Sequence, residues 1–559
     1  AGYEYQAINT EINDLAPVYG RSSYNGRFSA LGSVSSDFNP LVNLADFFVG
    51  AQNSYEKSNF AVLDYRQRMH FFYVQDDWKV NSRLTLNLGV RYEYATPQWE
   101  ANNRLGNFDP TTGTLFFAKD GSIQDRSTIK PDRNNWGPRI GLAYTLDRKT
   151  VVRSAYGISY VHFNRMGGEN ILGFTGPFVF SVNRNQVAPA AAGSSAQPIC
   201  SPGQHFLTCF QRTQDGFPSG MNDASLYNTR TTRVNYIPSD TPSPYVQNWH
   251  LTIQRDLGAG FLLDVGYVGN RGVNQLILGD FNQAQPNRPG ENINLDLRRP
   301  YQNFAFIQAA FAGGNTFYHG LQMKIEKRYD NGLYFMNSYT WSKAIDNAAG
   351  HLETYNGDNS RVNFYNLAGE RGLSSYHIPH NNVTSIIYEL PFGRNRKWGS
   401  DWNPVVNGIL GGWRTTLINT MRSGFPINLT YSPTAAFQVC SSCSHRPNVT
   451  GPVQDGSNDP NQWFLTNNIH IPTDVTQPFG NLGRNAGRME NFYQSDFGLY
   501  KQFLLPREGA RVEFRSEFFN LLNVTNFSSP NSNVSSTSFG RVTSAFPARQ
   551  VQFALKLYF

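Results

Sequence analysis

Four cysteines carry the most reactive side chains of this sequence, and they form two local pairs, Cys200 with Cys209 and Cys440 with Cys443. In an exported protein, such pairs favour disulfides that tighten a loop. The second pair, a CxxC motif, could instead belong to a zinc site or a redox-active site, or remain free thiols. A zinc site needs two further ligands, and only His445 lies near. Because a redox-active CxxC normally opens a helix in a βαβ unit, which the sequence does not indicate, we predict a disulfide at both pairs.

Residues 455–459 (Asp-Gly-Ser-Asn-Asp) place carboxylates at alternate positions, as calcium loops do. The twelfth position of such a loop needs a bidentate Glu, and Thr466 stands there, so a polar turn is the favoured interpretation. The sequence contains no HExxH, GxSxG, Walker or dinucleotide-binding motif. We therefore predict no enzyme, no catalytic residue, no metal site and no cofactor.

Two runs alternate apolar with polar side chains, so polar groups share one face of each predicted strand. Such a face cannot be buried in a dry core without a heavy desolvation cost. It could line a hydrated lumen, grip a polar plug, or form the solvated face of a soluble β-sandwich, and we favour the lumen. The polar residues are Gln322, Lys324, Glu326 and Arg328 in one run, and Arg511, Glu513, Arg515 and Glu517 in the other.

The last ten residues predict a strand with one wholly apolar face. Its apolar residues alternate with mostly polar ones, which places them together on one side of the strand. Outer-membrane barrels end on a strand of this kind, with lipid outside and water inside. The apolar set is Val551, Phe553, Leu555, Leu557 and Phe559.

Amphipathic runs recur in pairs along the chain, joined by short turns and separated by long polar segments. The alternation of short turns with long loops is never broken, which favours a membrane barrel over ordinary globular domains. We predict an all-β, transmembrane, antiparallel up-and-down β-barrel with short periplasmic turns and long extracellular loops. About thirteen strands are predicted, with further candidates at 26–32 and 44–50. The runs are 70–78, 84–94, 137–145, 151–161, 248–255, 261–269, 320–328, 333–341, 383–390, 413–421, 493–503, 511–519 and 550–559.

Several aromatic residues fall in or beside the long loops, where they could stack on a sugar or peptide ligand or simply pack the loops together. Trp402 is excluded from this set, because it lies in the long link at 391–412 on the predicted periplasmic side. The ligand-binding residues themselves remain unknown at this stage. The aromatic candidates are Tyr227, Tyr236, Tyr301, Phe304, Tyr318 and Trp463.

Composition agrees with a membrane barrel. Charged residues are 16% of the chain, aromatic residues are 14%, and the mean hydropathy of −0.46 is too polar for a helical membrane protein. No apolar run approaches the ~18–20 residues that a spanning helix needs. The net charge of +7 is scattered except at Arg394, Arg396 and Lys397, so we predict no nucleic-acid partner. No signal peptide is visible, and export to a bacterial outer membrane is inferred.

Short motifs along the chain resemble those of the Oar-like TonB-dependent outer-membrane receptors of the Acidobacteria type. No motif is diagnostic alone, but their order and spacing together make the resemblance fairly specific. The motifs are ADFFVG (45–50), VQDDW (74–78), LTLNLGVRY (84–92), YVQNW (245–249), YTWSKAID (339–346), ELPFG (389–393), GWR (412–414), SGFP (423–426), EFFNLLN (517–523) and NF (526–527).

The resemblance implies a 22-stranded barrel with an N-terminal plug, driven by the TonB complex through a short N-terminal box. The sequence shows no plug, no TonB box and too few strands, so we expect residues 1–559 to be the C-terminal barrel portion of a longer protein. The implied function is a receptor that captures a sugar, peptide or chelate in its loops and imports it. A structural or adhesive surface protein and a passive pore are the alternatives.

The resemblance also implies that the barrel-assembly machinery reads the aromatic terminal strand. We therefore expect Phe559→Asp to impair barrel assembly. The measurement is the heat-modifiable mobility of the full-length protein in outer-membrane fractions, with Tyr558→Asp on the polar face as the control. Normal folding of the Phe559 variant would contradict the assignment.

Overall fold

The main element of the structure, a computed structural model, is an antiparallel sheet of fourteen long strands. The described residues are 1–12, 18–26, 28–29, 40–59, 61–162, 171–186, 210–230, 232–347, 363–394, 396–440, 443–507 and 509–559. The strands are β1 (Gly2–Ile12), β2 (Leu63–Lys79), β3 (Leu84–Ala95), β4 (Trp136–Asp147), β5 (Thr150–Tyr160), β6 (Tyr245–Gly258), β7 (Phe261–Asp280), β8 (Ile307–Asp330), β9 (Leu333–Asp346), β10 (His380–Glu389), β11 (Trp413–Arg422), β12 (Phe492–Leu504), β13 (Arg511–Phe519) and β14 (Gln550–Tyr558).

Each of these strands pairs with the next one in the sequence, so the sheet is an up-and-down meander. Consecutive pairing uses short connections at one end and satisfies the backbone N–H and C=O groups strand by strand. Within the described part of the chain, no ladder joins β1 to β14. All thirteen predicted strands are confirmed, and most of their ends agree within three residues. The strands are longer than predicted at the long-loop end in four cases: β2 begins at 63 instead of 70, β7 ends at 280 instead of 269, β8 begins at 307 instead of 320, and β9 ends at 346 instead of 341.

The connections alternate in length as predicted. The turn at 331–332 has positive φ at both residues (Asn331 51°, Gly332 79°), which matches the twist of the flanking strands. Long loops connect the strands at the opposite end of the sheet. One connection at the short-turn end, 390–412, is longer because it contains the helix α3 (Pro404–Leu410). Asn403 caps this helix: its side-chain oxygen accepts a hydrogen bond from the Val406 N–H (2.9 Å).

The two faces of the sheet differ sharply in chemistry. On β7, Val265 lies opposite Ile253 and Met323 on one face, whereas Asp264 lies opposite Lys324 on the other. We call these the apolar face and the polar face. Large aliphatic and aromatic side chains on the apolar face remain exposed, including Leu251, Ile253, Tyr267 and Met323.

A polar row interrupts the apolar face across four neighbouring strands. Asn337, Thr384, Asn419 and Ser495 lie in direct register on β9 to β12. They hydrogen-bond in pairs: the Asn337 amide donates to Thr384 (2.8 Å) and the Asn419 amide to Ser495 (2.6 Å). Pairing within the sheet lowers the cost of exposing these groups to an apolar surrounding. The sequence pattern did not predict this row.

Two sequence predictions about the N-terminal region were incomplete or wrong. Strand β1 was missed, because neither of its faces is consistently apolar; Tyr3 and Tyr5 share a face with Asn9 and Glu11. The predicted strand at 44–50 is instead covered mostly by helix α1 (Pro40–Phe48). A short apolar run does not distinguish a strand from a helix. The candidate at 26–32 lies mostly outside the described residues.

The long loops contain structure of their own. Hydrophobic clusters at this end include one around Leu63, Leu105 and Leu172 and another around Leu429 and Phe464. The helix α2 spans Ile123–Ser127, and 3-10 turns span Ile171–Phe174, Thr213–Asp215, Ala224–Leu226, Leu295–Leu297, Leu367–Glu370 and Thr466–Asn468. Short strands are Arg21–Ser23, Ser54–Ser58, Trp99–Glu100, Gly106–Asp109, Thr114–Phe117, Ser181–Asn185, Val234–Tyr236, Gly372–Leu373, Pro426–Ile427, Asn448–Val449, Ile469–His470 and Gly487–Arg488.

The helices that the structure describes are all short. No helix in the described residues is long and apolar enough to cross a bilayer.

An arginine should destabilise the protein when it is introduced on the apolar face but not when it is introduced on the polar face. We expect Leu251→Arg, on the apolar face at mid-strand, to lower the free energy of unfolding in lipid by about 2–4 kcal/mol. The neighbouring His250→Arg, on the polar face, should change it little. Denaturant titration of both variants in liposomes measures the difference, and equal destabilisation would contradict the assignment of faces.

Candidate functional site

The long-loop end of the molecule carries an open cleft of about 550 Å³. It lies between the hairpin of Gly106–Asp109 and Thr114–Phe117, helix α2, and the segment around Tyr236. Buried Asn107 joins two of these walls: its amide donates to the Ile237 carbonyl (2.9 Å), and its oxygen accepts from the Ile237 N–H (3.1 Å). These residues are 130 positions apart, so the cleft exists only in the folded loops.

The cleft is acidic. Hydrogen bonds from the side chain and N–H of Thr111 lower the pKa of Asp109. Hydrogen bonds from Ser122, the N-cap of α2, lower the pKa of Asp125. Both carboxylates are therefore ionised at neutral pH, and their oxygens also hold the local turns. The charged residues lining the cleft are Asp109, Asp125, Asp240 and Lys119.

Aromatic side chains complete the cleft wall. Phe116 and Phe117 are 38% and 39% exposed, and the Phe117 ring also packs edge-on against Phe178 (5.4 Å between ring centres). Burial, and then the Asp240 carboxylate, raise the pKa of Tyr236, so its hydroxyl stays protonated. The sequence analysis did not single out Phe116 or Phe117. The available signal was a Phe-Phe pair three residues after the turn at Gly113.

Most of the predicted loop aromatics pack the loops together. Phe108 is the centre of one cluster, with the Tyr301 ring at 4.9 Å and the Phe304 ring at 5.1 Å. Tyr236 belongs to the same cluster and also lines the cleft. The remaining candidates are elsewhere: Tyr227 packs on Phe180, Trp463 is buried and donates to the Arg488 carbonyl, and Tyr318 lies within β8 rather than in a loop.

A second, smaller cavity of about 70 Å³ lies beside the ends of β2 and β3 that are nearest the long loops. His162 lines it and hydrogen-bonds Glu93 (2.7 Å). Arg91 bridges Glu93 (2.8 Å) and Glu4 (3.0 Å), which links the polar faces of β1 and β3. Arg91 thus neutralises two glutamates, and its ion pairs connect neighbouring strands at the long-loop end of the sheet.

The predicted lumen charges of β8 lie on the polar face. The Lys324 ammonium lies 3.0 Å from Glu326 and 4.0 Å from Asp264 of the neighbouring strand. Arg328 is exposed near the turn at 331–332. The pattern is a row of paired charges that remains open to solvent.

The predicted charges of β13 lie on the same polar face. The Arg515 guanidinium donates to Glu513 (2.5 Å), and the Tyr500 hydroxyl donates to Glu517 (3.0 Å). The Arg511 guanidinium lies 4.1 Å from the centre of a tyrosine ring of β14. Apart from Lys501 of β12, the charged side chains of β12, β13 and β14 lie on the polar face.

The predicted assembly residues occupy the opposite, apolar face of β14. Those within the strand pair in register with β13 through the backbone, and the side chains of the whole set are exposed. Phe559 follows directly after the last strand residue, Tyr558. The other residues of this set are Val551, Phe553, Leu555 and Leu557.

Comparison with protein families shows what the two faces of the sheet contact. Residues 1–552 match the family described as "Outer membrane beta barrel domain". The chain belongs to this family. In an outer-membrane barrel the apolar face contacts lipid, the short turns are periplasmic, and the long loops are extracellular. The cleft therefore lies on the outside of the cell, and α3 lies on the periplasmic side.

Solved outer-membrane transporters are similar to this barrel at low identity. The transporter YddB from Escherichia coli is 10% identical, with a TM-score of 0.47, over 99% of this chain and 50% of that one. FpvA of P. aeruginosa is 9% identical (TM-score 0.41, 89% and 39%), and the ferric citrate transporter FecA is 12% identical (0.38, 89% and 49%). The barrel chain spans about half the length of these proteins or less. A search of curated proteins finds no match.

One predicted cysteine pair can be located in the extracellular loops. Cys440 and Cys443 are joined as a disulfide, with their Cα atoms 5.8 Å apart. Their sulfur atoms and a ring nitrogen of His445 also lie within 4.8 Å of one another, so the reduced form would offer three metal ligands. Cys200 and Cys209 lie outside the described residues, and their disulfide stays a prediction.

The suggested calcium segment uses its carboxylates for local turns. Asp455 accepts from the Ser457 N–H (2.8 Å), and Asp459 accepts from the Asn461 N–H (2.9 Å). Both are Asx turns, in which a side-chain oxygen takes the place of a backbone acceptor. This geometry supports the interpretation of 455–459 as a polar turn.

Buried ion pairs connect the extracellular loops to each other. Arg446 donates to Glu370 (2.7 Å) across two loops, and Arg484 pairs with Asp346 at the upper end of β9. Arg299 is 3.1 Å from Asp280, and both are almost fully buried. A buried pair fixes geometry strongly, because moving one partner would leave an uncompensated charge. These ion pairs therefore hold the extracellular loops together as one packed unit, which we call the cap.

The cap contains one group whose titration should loosen it. Burial lowers the pKa of His445 to about 4, where its ring stacks on Phe479 at 5.0 Å. The folded cap thus binds fewer protons than the unfolded loop between pH 6.5 and about 4, and its stability is lost as pH falls through this range. At pH 5 we expect a loss of about 2 kcal/mol relative to pH 7.5.

Hydrogen-exchange protection within 423–491 measures this effect. His445→Phe keeps the stacking and removes the titration, so its protection should fall much less between pH 7.5 and pH 5. An equal loss in both proteins would exclude His445 as the cause.

Proposed function

We propose that this barrel is an Oar-like TonB-dependent receptor that binds a ligand in its extracellular loops and imports it with energy from the TonB complex. Residues 1–559 act as one outer-membrane β-barrel domain in this proposal. The observation that carries it is the acidic, aromatic-lined cleft held open by buried contacts on the extracellular side. A preformed concave site with a few fixed polar groups is typical of small-molecule recognition.

The chemistry of the cleft suits a sugar, a peptide or a chelate that is neutral or cationic. Three carboxylates against one lysine disfavour an anionic ligand. The exposed rings of Phe116 and Phe117 offer apolar faces for stacking, beside the protonated hydroxyl of Tyr236. Binding and import, rather than catalysis, is the role that this arrangement supports.

The polar face supports a conduit. Lys324 and Glu326 form a pair of partly exposed charges. Arg515 is also partly exposed, and it pairs with the buried carboxylate of Glu513. We propose that they line a hydrated lumen, where paired charges tolerate water and contact a polar plug or a passing ligand. Outer-membrane lipid, the TonB complex and the barrel-assembly machinery are the proposed partners, and no nucleic acid is proposed.

Uptake by cells that express the full-length gene product tests the function. The probes are fluorescent maltoheptaose, a fluorescent oligopeptide without net negative charge and a radioactive ferric trihydroxamate, whose iron centre is uncharged. We expect one probe to accumulate above the empty-vector level, and this accumulation to disappear in a strain without TonB. Accumulation that persists without TonB would indicate a passive pore. Surface binding of a probe without accumulation, or neither, would favour a structural or adhesive role.

Variants in the cleft link that function to the site. We expect Phe117→Ala combined with Asp240→Asn to weaken binding of the accumulated probe by about tenfold, because a stacking surface and a charge are lost. Tyr19→Ala, an exposed extracellular aromatic outside the lining of the cleft, is the matched control. Equal affinity of both variants would place the ligand elsewhere.

A further inference from the structure

The longest periplasmic link, 390–412, presents an unpartnered apolar surface. Helix α3 exposes Val405 (69%), Ile409 (62%) and Leu410 (52%). Other turns between strands at this end are much shorter, and two residues suffice at 331–332. A helix with three exposed aliphatic residues is not needed to connect β10 to β11, so its surface calls for a separate explanation.

Hydrogen bonds place this helix against the lipid-facing side of the sheet. Trp413 and Lys501 are register partners on the apolar face of β11 and β12. The Trp413 indole N–H donates to the Ile409 carbonyl (2.9 Å). The Lys501 ammonium donates to the carbonyls of Ile409 (3.1 Å) and Gly411 (2.6 Å). The C-terminal end of α3 is therefore attached to the outer surface of the barrel wall, at its periplasmic end.

This attachment removes a charge from the lipid surface. Lys501 follows Phe497 and Leu499 on the apolar face of β12, where an uncovered ammonium would be costly. Under α3 it is only 4% exposed, and carbonyls at the negative end of the helix satisfy it. The helix thus continues the apolar surface outward, with Val405 and Ile409 in place of the lysine.

The rest of the link has the composition of a membrane interface. Trp398 is half exposed, and the Lys397 ammonium lies 5.0 Å from the centre of its ring. Arg394 is exposed beside them, whereas Arg396 pairs with Glu389 of β10 (2.7 Å). The single carboxylate within the sequence of 390–412 is Asp401. Tryptophan and basic side chains at an apolar boundary are the residues that anchor proteins at the headgroup level.

We propose that α3 and the Trp398 segment lie in the periplasmic leaflet of the outer membrane and bind its phospholipids. The aliphatic side chains of Val405, Ile409 and Leu410 enter the boundary between headgroups and acyl chains. Arg394 and Lys397 contact headgroup phosphates. This lipid-binding element anchors the barrel wall at β10 to β12 in the manner of an interfacial helix. It rests on family membership and on local geometry, and it is independent of whether the barrel transports a ligand.

Photocrosslinking in intact cells tests the proposal. The full-length protein carries benzoylphenylalanine in place of Ile409, or in place of Val405 in a second variant, and adducts are identified by mass spectrometry. We expect phospholipid adducts at both positions, about tenfold more abundant than at Leu297, an exposed extracellular position. Heat-modifiable mobility confirms that each variant is folded.

Other outcomes overturn the proposal. Adducts to a second copy of this chain or to a periplasmic protein would show that a protein covers α3. Folded protein without phospholipid adducts at 405 and 409 would show that the helix faces water. As a second measurement, Arg394→Gln combined with Lys397→Gln should reduce the phospholipid adduct at 409 several-fold, whereas Arg328→Gln, near another periplasmic turn, should not.

Discussion

The constraint that organises this protein is that backbone N–H and C=O groups inside a bilayer must be hydrogen-bonded within the protein. The chain meets it with consecutive antiparallel ladders, from β1–β2 to β13–β14. Side chains then alternate between lipid and the polar side, which explains why Val265 and Asp264 are neighbours with opposite surroundings. Short turns and long loops must also alternate, because each strand reverses direction.

Beyond the membrane this constraint no longer applies, and the extracellular loops follow the rules of a soluble domain. They bury clusters around Leu105 and Phe464, and they use buried ion pairs such as Arg446 with Glu370 to join distant segments. A braced cap can hold an open cleft without filling it. The hydrogen bonds between Asn107 and Ile237 hold two walls of the cleft together, and its acidic and aromatic lining is the recognition surface of the proposed receptor.

The wall itself carries polar groups on its lipid-facing side in the sector β9 to β12. The polar row that includes Asn337 and Asn419 is satisfied by hydrogen bonds within the sheet. Lys501 is satisfied by the carbonyls of α3. In both cases a polar group on the apolar surface is hydrogen-bonded by the protein itself, so it does not face lipid without a partner. The long periplasmic link is therefore part of the lipid-facing surface rather than a simple connection.

The sequence by itself determined the strands and their alternation, because a strand in a barrel must repeat apolar and polar residues with a period of two. Where that pattern is weak, as with Asn9 and Glu11 in β1, or where a short apolar run is ambiguous, as in α1, the sequence misled. Only the tertiary structure decided the site. The sequence left open whether Tyr301 and Phe304 bind a ligand or pack the loops, and the fold packs both against Phe108. Loop contacts of this kind join residues far apart in the chain and leave no local periodicity.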